Sequence, residues 1–170
     1  MGQGVAASSK KYFMEKVQIT KEGYERLKAQ LHHLKNEERP KIIQAIATAR
    51  ELGDLKENAE YHTAKDKKGF IEAQINDFED KIGRAEVIDV STLGGNKVKF
   101  GATVNLEDLD NGKKFIYKIV SEFEANIDNG LISSTSPVAR ALLNKEVGDE
   151  VEIKIPNGVA NYEIIAIKFV

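Results

Sequence analysis

Gly53-Asp54-Leu55-Lys56-Glu57-Asn58-Ala59-Glu60-Tyr61 is the stretch at which two long helical patterns meet. Before it, Tyr24, Leu27, Leu31 and Leu34 repeat at coiled-coil spacing. The seam resumes after Pro40 as Ile42, Ala45 or Ile46, Ala49 and Leu52. Thr20 suits the N-cap of this first helix, because its hydroxyl can accept from a free amide of the first turn. Pro40 lacks an N–H and collides with the preceding turn, which predicts a kink in a helix that continues beyond it. Gly53 ends the helix, since glycine tolerates the left-handed conformation common just past a helix C-terminus. After the stretch, Ile71, Ile75, Phe78, Ile82 and Ala85 form a second seam, with a weaker beginning at Leu55, Ala59, His62 and Asp66. So short a connection makes the two helices antiparallel neighbours. An arm of about 30 residues is about 45 Å long, and much of it should project into solvent.

Beyond Val90 the period changes. Ser91 to Asn96 reads as a linker by its glycine and polar content. Alternating segments follow at Lys97–Phe100, Thr103–Leu106, Lys114–Val120, Glu150–Ile155 and Tyr162–Phe169. Asp110-Asn111-Gly112 and Pro156-Asn157-Gly158 are turn signals between them. Ser136 as N-cap and Pro137 at the first helical position predict one helix over Val138–Leu143. The fold class is α+β: a helical coiled-coil hairpin over 14–90, a linker over 91–96, and a small, mainly antiparallel domain with one helix over 97–170. Residues 1–13 read as a poorly ordered leader or remnant ahead of a second candidate start at Met14.

Composition sets the outer bounds. Of 170 residues, 41% are hydrophobic and 31% charged, which suits a globular chain with much solvated helix surface. A net charge of −2 gives no whole-protein attraction to nucleic acid, so any such contact needs a local patch. The absence of cysteine excludes disulfides, thiolate zinc sites and a cysteine nucleophile. No run approaches a membrane span, and the first residues lack a signal-peptide core, so the cytoplasm is the expected location. The adjacent His32 and His33 read most simply as exposed helix residues.

Asp54 and Glu57 put two carboxylates three residues apart at the bend. Asp54 as N-cap with Glu57 at the third helical position approximates a capping box. A carboxylate has more lone pairs than one cap uses, so a second role stays open. Two acids with no histidine or cysteine site suit a hard cation such as Mg²⁺, often held by one or two carboxylates and substrate phosphates. Such a tip has no pocket, and the remainder of any active site would belong to another molecule. Arg50, Lys56, Lys65, Lys67 and Lys68 surround it, interleaved with Glu51, Glu60 and Asp66. They form either a solvated face of mixed charge or a stripe that holds a phosphate backbone. Tyr61 and Phe70 are candidates for stacking on a base, with seam packing the simpler role for Phe70.

Arg50 to Tyr61 closely resembles the tip motif of the bacterial Gre transcript-cleavage factors. Thr20-x-x-Gly23 with Leu27, Arg39-Pro40 with Ile43 and Ile46, and Ser136 to Leu143 with Gly148-Asp149 agree with the same family. The slightly acidic charge favours a GreA-like member over a GreB-like one. The resemblance implies an FKBP-like C-terminal fold, without prolyl isomerase activity. It implies that the hairpin enters the secondary channel of bacterial RNA polymerase and meets the nascent RNA 3′ end of a backtracked complex. Asp54 and Glu57 would help hold a second Mg²⁺ there, and the polymerase's own endonuclease activity would cut the RNA. The chain alone is then no enzyme, and it is expected to be a monomer. Arg50, Lys56 and Lys65 would lie near the RNA, joined by Lys67 and Lys68 in a basic patch. Ser136, Pro137 and Arg140 would lie in the polymerase-docking domain. Two alternatives are a Gre-like inhibitor that occupies the channel without cleavage and a coiled-coil chaperone or scaffold whose tip acids only cap.

Overall fold

The computed structural model of the chain describes residues 15–53 and 57–170. The expected leader over 1–13 lies outside them. The chain packs as two compact units: Tyr24–Arg84, and the residues up to Gly23 together with Ala85–Val170. Among the described residues no helix is long and apolar enough to cross a membrane.

The first unit is the helical hairpin. Helix α1 (Lys21–His33) runs through a π turn, Leu34–Glu38, into α2 (Arg39–Arg50). The helical course continues through Pro40 as expected, and the π turn ahead of the proline is the device. Within it the Arg39 N–H donates to the Leu34 carbonyl, five residues back, so the backbone passes the position where the ring would break an α ladder. Helix α3 (Ala59–Arg84) returns. Lys35 pairs with Glu79 at 2.5 Å and Arg39 with Glu72, while Asn58 bonds Ala49. Rising numbers meet falling ones, the signature of antiparallel neighbours.

Leu34, Ile42, Ala64, Ile71 and Ile75 are the buried seam, with Leu31, Ile46 and Phe78 half-buried beside it. Two expectations are corrected. Leu52 is 65% exposed, so the first seam stops at Ala49. Ala59, His62 and Asp66 are exposed, and the inward positions are Tyr61, Ala64 and Lys68. The reason is phase: counting back from Ile71 by three, four and three gives Lys68, Ala64 and Tyr61.

The second unit holds two sheets. Strands β1 (Val17–Thr20) and β2 (Ala85–Ile88) pair in parallel, Val17 beside Ala85 and Thr20 beside Ile88. Ala85 therefore opens a strand instead of closing the helical seam, and neither strand was expected. The larger sheet contains β3 (Thr103–Asp108), β4 (Lys114–Val120), β5 (Leu131–Ser133), β6 (Glu150–Ile155) and β7 (Gly158–Lys168). Its order is β5-β4-β3-β7-β6, antiparallel except for β4 with β5. Helix α4 (Pro137–Leu142) packs Ala139 and Leu142 into a core with Val104, Leu106, Ile119 and Ile164. Both turn signals sit between paired strands, β3 with β4 and β6 with β7. Lys97–Phe100 is no strand. Val98 instead exchanges backbone hydrogen bonds with Lys145 and Asn144, and Lys97 makes only a single bridge to Glu146.

Thr20 caps α1 as expected, its hydroxyl accepting from the Gly23 N–H at 3.1 Å. The sequence concealed its partner, Glu124. That carboxylate accepts from the Thr20 N–H at 3.0 Å, from the Thr20 hydroxyl, and from the Ser121 N–H at 3.1 Å. Thr20 and Ser121 are each only 1% exposed. A Cβ at Gly23 would stand 2.1 Å from Glu124 Oε1. Glycine at 23 is what admits the acid to the helix start.

Two predictions follow from this packing. Alanine in a helix is favoured over glycine by about 0.5–1 kcal/mol. Gly23→Ala nevertheless should destabilise by about 1–3 kcal/mol, because displacing Glu124 leaves buried donors unpaired. In a Glu124→Ala background the same change should be neutral or stabilising, as read by urea denaturation. The second concerns Glu72. The bidentate Arg39 hydrogen bonds, at 2.8 Å each, hold its carboxyl below the ordinary range. A depressed carboxyl stabilises the fold above its unfolded pKa and loses that contribution as pH falls through its folded pKa. Wild type should therefore exceed Glu72→Gln in melting temperature at neutral pH, and the gap should close below about pH 4.

Candidate functional site at the helical tip

Helix α2 ends in a tight turn. The Glu51 N–H donates to the Thr48 carbonyl at 3.2 Å and the Leu52 N–H to the Ala49 carbonyl at 3.1 Å. Gly53 follows at φ +118°, the conformation that suits glycine alone. The expected helix stop is therefore found. Asp54, Leu55 and Lys56 lie outside the described residues.

The Asp54 half of the expected capping box lies outside the described residues, and α3 takes a cap from another residue. Asn58 Oδ1 accepts from the Tyr61 N–H at 3.0 Å, which makes Asn58 the N-cap of α3. Glu57 stands one residue ahead of it, outside the helix and exposed. Asn58 Nδ2 also donates to the Ala49 carbonyl at 2.6 Å. One carboxamide thus satisfies a free amide of the returning helix and a terminal carbonyl of the outgoing one. A carboxylate could serve only the amide, because it has no donor. That chemistry explains why asparagine holds this place between two acids and a helix. The legible signal was an asparagine three residues ahead of the first inward residue, Tyr61.

Beside this bridge the Arg50 guanidinium lies 5.7 Å from the Tyr61 ring centroid, and His62 meets the same ring edge-on at 5.5 Å. Tyr61 is half-buried, so its ring is the floor on which Arg50 rests. Glu51, Glu57 and Glu60 are exposed around it. The basic residues farther along α3 differ in their exposure. Lys65 and Lys67 are exposed, whereas Lys68 is half-buried in the seam, where its charge helps depress the Glu72 carboxyl. Lys67 lines a shallow groove with Lys41, Ile42 and Ile71. Phe70 is 65% exposed, which removes the seam role expected for it.

In the other unit the Ser136 hydroxyl accepts from the Ala139 N–H at 3.3 Å, the predicted cap of α4. Pro137 and Arg140 are exposed on that helix. Among the described residues no three His, Cys, Asp or Glu side chains converge as a metal cage.

Comparison with known proteins adds a consistent set of likenesses. Residues 17–87 match the family model for "Transcription elongation factor, N-terminal". Residues 93–169 match "Transcription elongation factor, GreA/GreB, C-term". The chain is 54% identical over 156 residues to transcription elongation factor GreA of Hyphomonas neptunium, covering 92% of this chain and 99% of that one. It is 55% identical over 157 residues to the GreA of Phenylobacterium zucineum, covering 92% and 100%. Among solved structures it is similar to GreA factor homolog 1 of Thermus thermophilus, at 33% identity over 91% of this chain and 99% of that one, with a TM-score of 0.42.

Losing the tip cap should be measurable in the isolated protein. Asn58→Ala should cost about 1–2 kcal/mol in urea denaturation followed by helical circular dichroism, because the Tyr61 amide loses its cap and the Ala49 carbonyl one of its two donors.

Proposed function

We propose a function from the premise that this chain belongs to the GreA/GreB family of transcription elongation factors. The hairpin tip enters the secondary channel of bacterial RNA polymerase and stimulates cleavage of the nascent RNA in a backtracked complex. The observation that carries this reading is the placement of Glu57. It is exposed, outside any helix, and next to the residue that joins the two helix ends. Asp54 belongs to the same connection by sequence.

The donor chemistry fits Mg²⁺. Asp54 and Glu57 would offer two hard carboxylate oxygens, and the remaining ligands would come from the polymerase, the RNA phosphate and water. When bound, the ion supplies activation of the attacking water and charge stabilisation at the leaving oxygen. The chain's own part is to carry the acids on a narrow, rigid arm and orient them. Arg50, which rests on the Tyr61 ring, would offer a cation to the RNA phosphates. Lys56, Lys65, Lys67 and Lys68 would extend that contact along the arm. The unit bearing Ser136, Pro137 and Arg140 would dock on the polymerase, and the chain would act as a monomer.

Asp54→Asn preserves shape and removes charge. Its melting temperature should match wild type, while cleavage of RNA in a stalled elongation complex with Mg²⁺ should fall about 100-fold or more. Cleavage at the wild-type rate would sink the metal-binding role. Replacing Lys65, Lys67 and Lys68 by alanine should lower crosslinking of backtracked RNA to the hairpin, and an unchanged yield would remove the RNA-holding assignment.

A further inference from the structure

Two side chains engage the Tyr61 ring. The Arg50 guanidinium lies 5.7 Å from its centroid, and His62 meets it edge-on at 5.5 Å. Arg50 is the last residue of α2, and Tyr61 belongs to the first turn of α3. Both therefore stand on helix backbone, and the Tyr61 N–H is itself fixed by Asn58 Oδ1 at 3.0 Å. The ring is half-buried, whereas Arg50 and His62 are exposed. The kind of contact matters. A carboxylate beside Arg50 would neutralise its charge and take up to two of its five N–H donors. An aromatic ring attracts the cation through its quadrupole and does neither. Arg50 is thus held in place while its charge stays open to an anion. A base stacking where Arg50 lies would have to displace it.

We infer, resting on the cleavage reading above, that Tyr61 is a positioning residue that acts through Arg50: its ring aims the guanidinium at a phosphate of the nascent RNA and is not itself a platform for a base. Arginine has a long side chain with many rotamers, and ordering it on binding weakens the contact it makes. A support already in place on the opposite helix removes part of that cost. The two roles open to the ring, aiming a cation and stacking on a base, differ in one respect. Aiming requires Arg50, and stacking does not.

That difference gives the test, a double-mutant cycle on the full-length chain. Tyr61→Leu keeps an apolar side chain in the seam and removes the π face, and Tyr61→Phe keeps both. Each is made alone and together with Arg50→Ala, and Tyr61→Met replaces the leucine variant should that one fail to fold. Cleavage of RNA in a stalled elongation complex is measured at saturating factor, with the half-saturating concentration and melting temperature alongside. The expected result for Tyr61→Leu is a maximal rate about 2–5-fold lower, the worth of one exposed cation–π contact, with half-saturation near wild type. Tyr61→Phe should cleave like wild type. Arg50→Ala should lose at least as much as Tyr61→Leu, and adding Tyr61→Leu to it should cost nothing more. An equal loss from Tyr61→Leu with and without Arg50 overturns the inference, since the ring then acts by itself. Wild-type cleavage by Tyr61→Leu or by Arg50→Ala also overturns it, and the cleavage reading stands. If the wild-type chain leaves the stalled RNA uncut, the cleavage reading falls and this inference with it.

Discussion

A helix leaves its first amides and last carbonyls without partners, and in this protein that constraint is met by side chains at both ends of the hairpin. At the tip a single asparagine serves two helix ends at once. At the start of α1, Thr20 receives the Gly23 amide, while Glu124 receives the amide and hydroxyl of Thr20 from 104 residues away in sequence. The two solutions differ in kind. The tip is closed by a local, neutral group that leaves its neighbouring acids exposed. The start of α1 is closed by a remote carboxylate set among buried groups, and glycine at 23 makes the room.

Between those ends the arm is held by a thin seam. A cluster of Leu34, Ile42, Ala64, Ile71 and Ile75 centres the apolar packing, and the ion pairs of Lys35 with Glu79 and Arg39 with Glu72 cross between the helices. Such exposed pairs add little stability each, and their value is in register: Lys35 reaches Glu79 and Arg39 reaches Glu72 only in this alignment. The π turn serves the same alignment. It widens one turn ahead of Pro40, and the apolar residues on either side, Leu34 and Ile42, both remain on the inner face.

On the proposed reading, the tip would supply only part of an active site. Among the described residues no three His, Cys, Asp or Glu side chains form a metal cage. Rigidity is what such a tip can contribute. Arg50 rests on Tyr61, and Asn58 joins Ala49 to Tyr61. Both converge on Tyr61, a half-buried aromatic that continues the heptad of Ile71 and Ile75 outward to the tip.

Local rules made much of this legible in advance. Spacing of leucine and isoleucine announced the two helices, Gly53 the stop between them, and Ser136-Pro137 the one helix of the β-rich unit, because each is decided within a few residues of chain. The two acids were equally visible, but the cap found at the start of α3 is Asn58. Carboxylates and a carboxamide cap comparably well, and only the approach of the Ala49 carbonyl favours the group that can also donate. The weak opening of the second seam was misread for a related reason, since the helix takes its phase from the strong residues near its other end. Strands β1 and β2 were missed because four residues carry too little pattern, and each becomes a strand by pairing with the other. The sequence by itself determined that two long helices flank a turn, and which acids lie in the stretch between them. Only the tertiary structure decided that Asn58 ties the turn together and that Glu124 caps α1, because hydrogen bonds between distant backbone groups depend on which ends the fold brings within reach.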